Sequence, residues 1–313
     1  MSFYSMNKSY TRKRSPIQRI LSCWQLYLCL LPAFIYIFIF CYVPMYGLQI
    51  SFKDFIPGLG ITGSPWVGAK HFIVFIKSIQ FPILVRNTVL ISIYSLLYGF
   101  PVPIILALML HEVKNLIFKK LVQNATYIPY FISIVVMVAM IINFTSPTIG
   151  IINKLIVLFG GSPVDFMGKS SAFRTLYVSS GIWQSMGWNS IIYFAALAGV
   201  DPQLYEAAQI DGANRLQKIW HINLPGIAPT VIMLFILNCG QLLNVGFEKV
   251  FLMQNSLNLD VSEVISTYIY KVGLLNAKFS YTSAIGLFNT VINFSMLLIV
   301  NSLSKRFSDT NLF

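Results

Sequence analysis

YEAAQIDGANRLQKIWHINLP, residues 205–225, is a polar, partly charged stretch inside a chain that is otherwise apolar. Just before it, Asp201-Pro202 reads as a helix start, because an Asp side chain caps free backbone N–H groups and Pro fits the first turn. A helix through Leu204, Ala207 and Ala208 then ends at Gly212, the residue type that enters a left-handed turn at least cost. A second helix carries Leu216, Ile219, Trp220 and Asn223 along one side, until Leu224-Pro225 stops it. The stretch therefore predicts helix, glycine turn, helix, proline.

What flanks this loop sets the fold class. Hydrophobic residues make up 56% of the 313, charged residues only 10%, and the mean hydropathy is +0.71; soluble domains carry about 25% charged residues. Six long runs, 20–52, 87–111, 121–153, 175–200, 219–247 and 279–304, contain no Lys, Arg, Asp or Glu. Each can supply the roughly 20 residues that cross a bilayer as a helix, which satisfies its own backbone hydrogen bonds in lipid. The expectation is an all-α integral membrane protein with six transmembrane helices near 24–47, 87–110, 124–144, 176–199, 226–247 and 283–303. The apolar part of the first run outlasts a signal peptide's h-region of about 7–15 residues, so it is read as a retained span.

The net charge of +12 sits in residues flanking the apolar runs, as membrane anchoring predicts, and forms no soluble basic patch for nucleic acid. Basic residues are denser in the segments that share a side with the termini, which predicts a cytoplasmic N- and C-terminus and puts the 205–225 loop in the cytoplasm. The layout is then a cytoplasmic tail, 1–23, a transmembrane domain, 24–304, holding the loop 201–225, and a second tail, 305–313. Within the external segment 48–86, residues Phe72, Phe75, Ile76 and Ile79 fall at helical spacing, which predicts a short helix along the interface. No inverted or direct repeat is visible.

The cysteines Cys23, Cys29, Cys41 and Cys239 form no CxxC pair, the histidines His71, His111 and His221 lie in different segments, and neither a metal site nor a catalytic set is implied. Residues 165–171, DFMGKSS, end like a phosphate-binding loop, but Pro163 occupies the position of its first glycine and no apolar strand precedes it. ATP is not expected to bind here; if ATP drives the protein, another polypeptide holds it.

Taken with its spacing, the loop carries a resemblance. Glu206-Ala207-Ala208, three residues, Gly212, nine residues and Ile222-Asn223-Leu224-Pro225 resemble the EAA loop of permease subunits in binding-protein-dependent ABC importers, and Asp211, Ala213 and Pro229 match its fuller carbohydrate form. Residues 30–55 and 267–308 resemble the branch handling complex oligosaccharides or polysaccharide fragments. The resemblance implies a type I ABC importer permease fold in a bacterial cell membrane. It also implies a second, nonidentical permease, two ATP-binding subunits that hold ATP and Mg, and an extracellular substrate-binding protein. Glu206 would meet a basic group on the ATPase, Ala207 and Ala208 would allow close packing, Gly212 would make the turn and Pro225 would fix the junction with the next span, with Asp211 and Leu224 as further positions of the ATPase-coupling loop.

For the substrate path, polar groups inside apolar runs are costly and often functional. Asn238, Gln241 and Asn244 fall on roughly one face of the fifth run, and Asn289 and Asn293 at i, i+4 in the sixth. Amides donate and accept, which suits sugar hydroxyls, and Trp183 and Trp188 offer rings for stacking. The same amides also suit helix–helix contacts, and the tryptophans suit a lipid interface. Two other classes remain: an ion-coupled secondary transporter, against which the charge-free runs offer no coupling carboxylate, and an importer of a non-sugar solute such as an amino acid, phosphate or metal.

Overall fold

The computed structural model describes residues 24–307, the side chains of the last two excepted. The tail 1–23 and most of the tail 305–313 lie outside the described residues. Everything regular among those described is helical; the sole β pairing is an isolated antiparallel bridge between Lys53 and Trp66.

Among the described residues, four helices are long and apolar enough to cross a membrane: Trp24–Phe52, Gln80–Glu112, Arg215–Cys239 and Phe279–Lys305. The other two expected spans differ. In place of one helix over 124–144, Leu116–Phe131 and Ile134–Thr145 meet at an angle of 103°. The cause is local: Pro129 brings no N–H to the ladder, and Ser133 leaves the helical region (φ −62°, ψ 149°) to cap the next helix by accepting from Val136 N. Lipid cannot satisfy the Ile132 carbonyl opened by the break; Gln184 does, donating through Nε2 at 2.8 Å. The remaining region, Ser170–Ala198, is a single 29-residue helix, long enough to span yet short of the apolar content of the other four. Its Gln184, Asn189 and serines lower the hydropathy, and they do so because that helix is the hub of the fold. It packs against the Gln80–Glu112 helix, the Leu116–Tyr127 segment and the Leu224–Cys239 segment. At Gly187 the approach is so close that a β-carbon would stand 2.1 Å from the Thr126 carbonyl oxygen.

Three buried clusters hold these helices. One joins Ile91, Val138, Phe173 and Val250 near the start of the hub helix; a second joins Ala107, Tyr193, Leu197 and Ile227 nearer the loop; a third joins Phe75, Leu84, Ile265 and Ile285. Phe75 in that third cluster revises the interfacial reading of Phe72, Phe75, Ile76 and Ile79. Lys70–Ile76 is a short helix with Phe75 in the core, and from Gln80 the chain already belongs to the long helix. Polar contacts fasten the segments between the long helices: buried Asn87 donates to the carbonyls of Asp260 (2.9 Å) and Glu263 (3.1 Å). Asp54 binds Lys70 at 2.7 Å and His71 at 2.9 Å, and the Lys70 hydrogen bond holds its carboxyl below the ordinary range. The first helix, Trp24–Phe52, buries nothing over its apolar window, and only its last turns, Tyr46–Phe52, pack on the final helix.

Candidate functional site: a projecting loop and the cavity above it

The loop forms two capped helices. Asp201 accepts from Gln203 N at 2.9 Å and Pro202 opens the helix Pro202–Ile210. Gly212 follows at φ +71°, and the turn is closed by Ala213 N to Ala208 O (2.8 Å) and Gly212 N to Gln209 O (3.2 Å), the paired bonds that end a helix on a left-handed residue. Asn214 and Gln217 then cap the next helix reciprocally, at 2.7 and 2.9 Å.

Here Pro225 was expected to stop the helix, and it does not. A π-turn over Ile219–Asn223 absorbs the hydrogen bond that proline cannot make, and the helix runs on from Arg215 to Cys239. Glu206, Ala207, Asp211, Gly212 and Pro225 are exposed, and Ala208 and Leu224 are half-buried. Beside them Leu204, Ile210, Leu216 and Trp220 are also exposed, Ile210 to 86%. An apolar patch of this kind on a polar loop marks an interaction surface.

At its base the loop is tied down by residues whose role sequence reasoning missed. Tyr205 donates its hydroxyl to Oδ1 of the fully buried Asn223 at 2.6 Å, and the His111 ring lies 5.7 Å from the Tyr205 ring. Burial, then the nearby Glu112 charge, push the Tyr205 hydroxyl above its ordinary pKa, so it stays a donor.

Above the loop, a cavity of about 530 Å³ opens between Gln80–Glu112, Ser170–Ala198, the end of Arg215–Cys239 and the segment leading to the short helix Phe247–Met253. Its size falls within the usual range of ligand sites. Asn238, Gln241 and Asn244 line it, but on different elements: the helix ends at Cys239, so Asn238 is helical while Gln241 and Asn244 occupy the following irregular segment. Asn244 donates to Gln241 and accepts from Asn289 and Asn293, each at 3.3 Å, while Asn293 also accepts from Leu243 N at 2.9 Å. The final helix thus contributes its two amides to holding the cavity wall, and neither lines the cavity. Trp183 and Trp188 are exposed and do not line it; Trp188 stacks on Tyr130 with centroids 4.6 Å apart.

The cavity also takes in Ser92, Gln184, Asn189 and Lys249. The hydroxyl of Ser92 is buried and has no partner within the protein. Lys249, on Phe247–Met253 and so outside the spans, is 7% exposed and donates from Nζ to the Tyr177 carbonyl at 2.6 Å. Burial draws its ammonium down to about 7. No cluster that could hold a metal occurs among the described residues.

A bundle of apolar helices around a polar cavity, with a capped two-helix loop projecting from one end, is the architecture of a membrane transport subunit. The chain belongs to the family described as binding-protein-dependent transport system inner membrane component, whose model matches residues 99–309. It is similar to the polygalacturonan/rhamnogalacturonan transport system permease protein YteP of Bacillus subtilis (strain 168), 44% identical over 98% of this chain and 95% of that one. Protein LplB of the same organism is 42% identical over 92% and 91%. Among solved structures, a bacterial ABC transporter involved in the import of the acidic polysaccharide alginate matches with a TM-score of 0.87 at 41% identity, covering 93% of this chain and 99% of that one. The alginate transporter in complex with an alginate pentasaccharide-bound periplasmic protein gives 0.88 at 40% identity, covering 96% and 100%. The fold is therefore that of a type I ABC importer permease.

Proposed function

We propose that this chain is the transmembrane permease subunit of an ATP-driven importer that receives a carbohydrate, an oligosaccharide, from an extracellular binding protein. The observation that carries the reading is the continuity of Arg215–Cys239. One helix, about 37 Å long at 1.5 Å per residue, holds the second half of the projecting loop at its start and Asn238 of the cavity at its end. A displacement of the loop is transmitted to the cavity wall without a hinge.

In this reading Ser170–Ala198 is the span that completes a set of six, its polar residues turned to the cavity and to neighbouring helices. Both termini and the loop face the cytoplasm. Glu206, Ala207, Ala208, Asp211 and Gly212 dock on a separate ATPase subunit, which holds ATP and Mg, and the exposed apolar residues around them fill its cleft. A second, nonidentical permease covers the other side of the path, and the cavity amides of Asn238, Gln241, Asn244, Gln184 and Asn189 exchange hydrogen bonds with sugar hydroxyls. The relatives named for glycan transport, aligned over nearly the full chain, support a carbohydrate over an amino acid or phosphate. ATP-dependent uptake into proteoliposomes of the assembled importer, offered labelled oligosaccharides and labelled amino acids, tests this. Uptake of the glycans alone is the expected result; uptake of amino acids alone, or uptake that follows an ion gradient without ATP, overturns it.

A further inference from the structure

We propose that Lys249 reads the charge of the cargo, binding the carboxylate of an acidic sugar as it passes through the cavity. The inference rests on the carbohydrate reading above and narrows it.

Among the described residues that line the cavity, Lys249 is the only one able to carry a positive charge; the rest of its polar surface is amide, hydroxyl and backbone. Its ammonium has three N–H donors, and the protein uses one, toward the Tyr177 carbonyl. The ring of Tyr177 lies beneath it at 4.5 Å, which favours a cation without neutralising it. The ion pairs among the described residues join Asp54 with Lys70 and His71, and Glu263 with Lys271, so none reaches Lys249. A cation removed from water without an opposite charge is unfavourable by itself. An arriving carboxylate removes that penalty by favouring the protonated amine, whereas a neutral sugar does not.

The surroundings keep room for such a contact. Gly181 faces the ammonium, and a β-carbon there would stand 3.1 Å from Nζ. The partnerless hydroxyl of Ser92, on the facing helix, is a second group in the same cavity with an unused hydrogen bond. A hexuronate presents both features a neutral hexose lacks in combination, an anion for the lysine and adjacent hydroxyls for the serine and the amides.

The test is ATP-dependent uptake by the complete importer in proteoliposomes, using an oligogalacturonate and its methyl ester, which keeps the hydroxyls and removes the charge. For each cargo the variant rate is divided by the native rate, so any preference of the binding protein cancels. Lys249→Gln is expected to lower oligogalacturonate uptake tenfold or more while changing ester uptake less than twofold, and Lys249→Arg to retain most acidic uptake. Gly181→Ala, which crowds the ammonium without removing it, is expected to lower acidic uptake selectively and serves if Lys249→Gln fails to assemble. If the native importer moves the acid and not the ester, loss in Gln with retention in Arg supports the proposal, and equal loss in both overturns it. Equal reduction of both cargoes, or transport of the ester alone by the native importer, also overturns it. Uptake of neither cargo together with no other glycan would instead defeat the carbohydrate reading itself.

Discussion

Gly212 holds a backbone conformation, φ +71°, that side chains resist, although nothing within 4 Å would obstruct a β-carbon there. The cost of replacing it is therefore conformational, about 1–2 kcal/mol for a β-branched residue and less for Asn. Gly212→Val should weaken retention of the ATPase by roughly tenfold and Gly212→Asn by much less, as measured by copurification. Gln184 has the opposite character, a side chain that satisfies a partly buried backbone carbonyl. Gln184→Leu should destabilise the solubilised protein by about 1 kcal/mol, the order expected for one lost, partly buried hydrogen bond, seen as a lower melting temperature without loss of the loop's binding. Gly212 was legible in the sequence because its spacing from Glu206 and Pro225 is local. Lys249 and Gln184 were not, since each acquires its meaning from residues far along the chain, Tyr177 and Ile132, that only the packed helices bring close.

Among the elements, absence of charge located most of the apolar helices, yet it was silent on continuity. Pro225 looked like a stop, and a π-turn over Ile219–Asn223 carried the helix through it; conversely the uncharged run 121–153 concealed the 103° break after Pro129. Proline removes one hydrogen bond in both cases, and whether the ladder bulges or breaks is decided by neighbours: buried Asn223 anchored by Tyr205 at the first, the Gln184 amide at the second. Two of the three amides expected on one helical face still meet beyond the helix end, where Asn244 donates to Gln241 and accepts from Asn289 and Asn293, while Asn238 donates to the Leu234 carbonyl. Asn293→Leu should release Leu243 N and the Asn244 side chain together, lowering transport several-fold while ATPase binding persists. The crossing of Ser170–Ala198 over Leu116–Tyr127 is tighter still. Gly187→Ala places a methyl against the Thr126 carbonyl, and overpacking of this kind costs typically about 1–3 kcal/mol; a reduced yield of folded, solubilised protein is the expected outcome.

At the scale of the whole molecule, the exposed loop, the unbroken helix Arg215–Cys239 and the polar cavity lie along one continuous element, which in the proposed reading links the ATPase to the cargo. The uncovered first helix, Trp24–Phe52, adds a surface that lipid or a second permease must cover. Composition and the loop motif were enough to expect this organisation, whereas the hub helix, with its lower apolar content, draws its place from packing. Whether the loop takes its force from a separate ATPase is decided by affinity purification of the detergent-solubilised chain, native against Glu206→Lys, with membrane insertion of both confirmed. An ATPase subunit is expected to copurify with the native chain and to be lost from the variant. An ATPase absent from the native preparation even after cross-linking, or retained equally by both, would contradict that coupling.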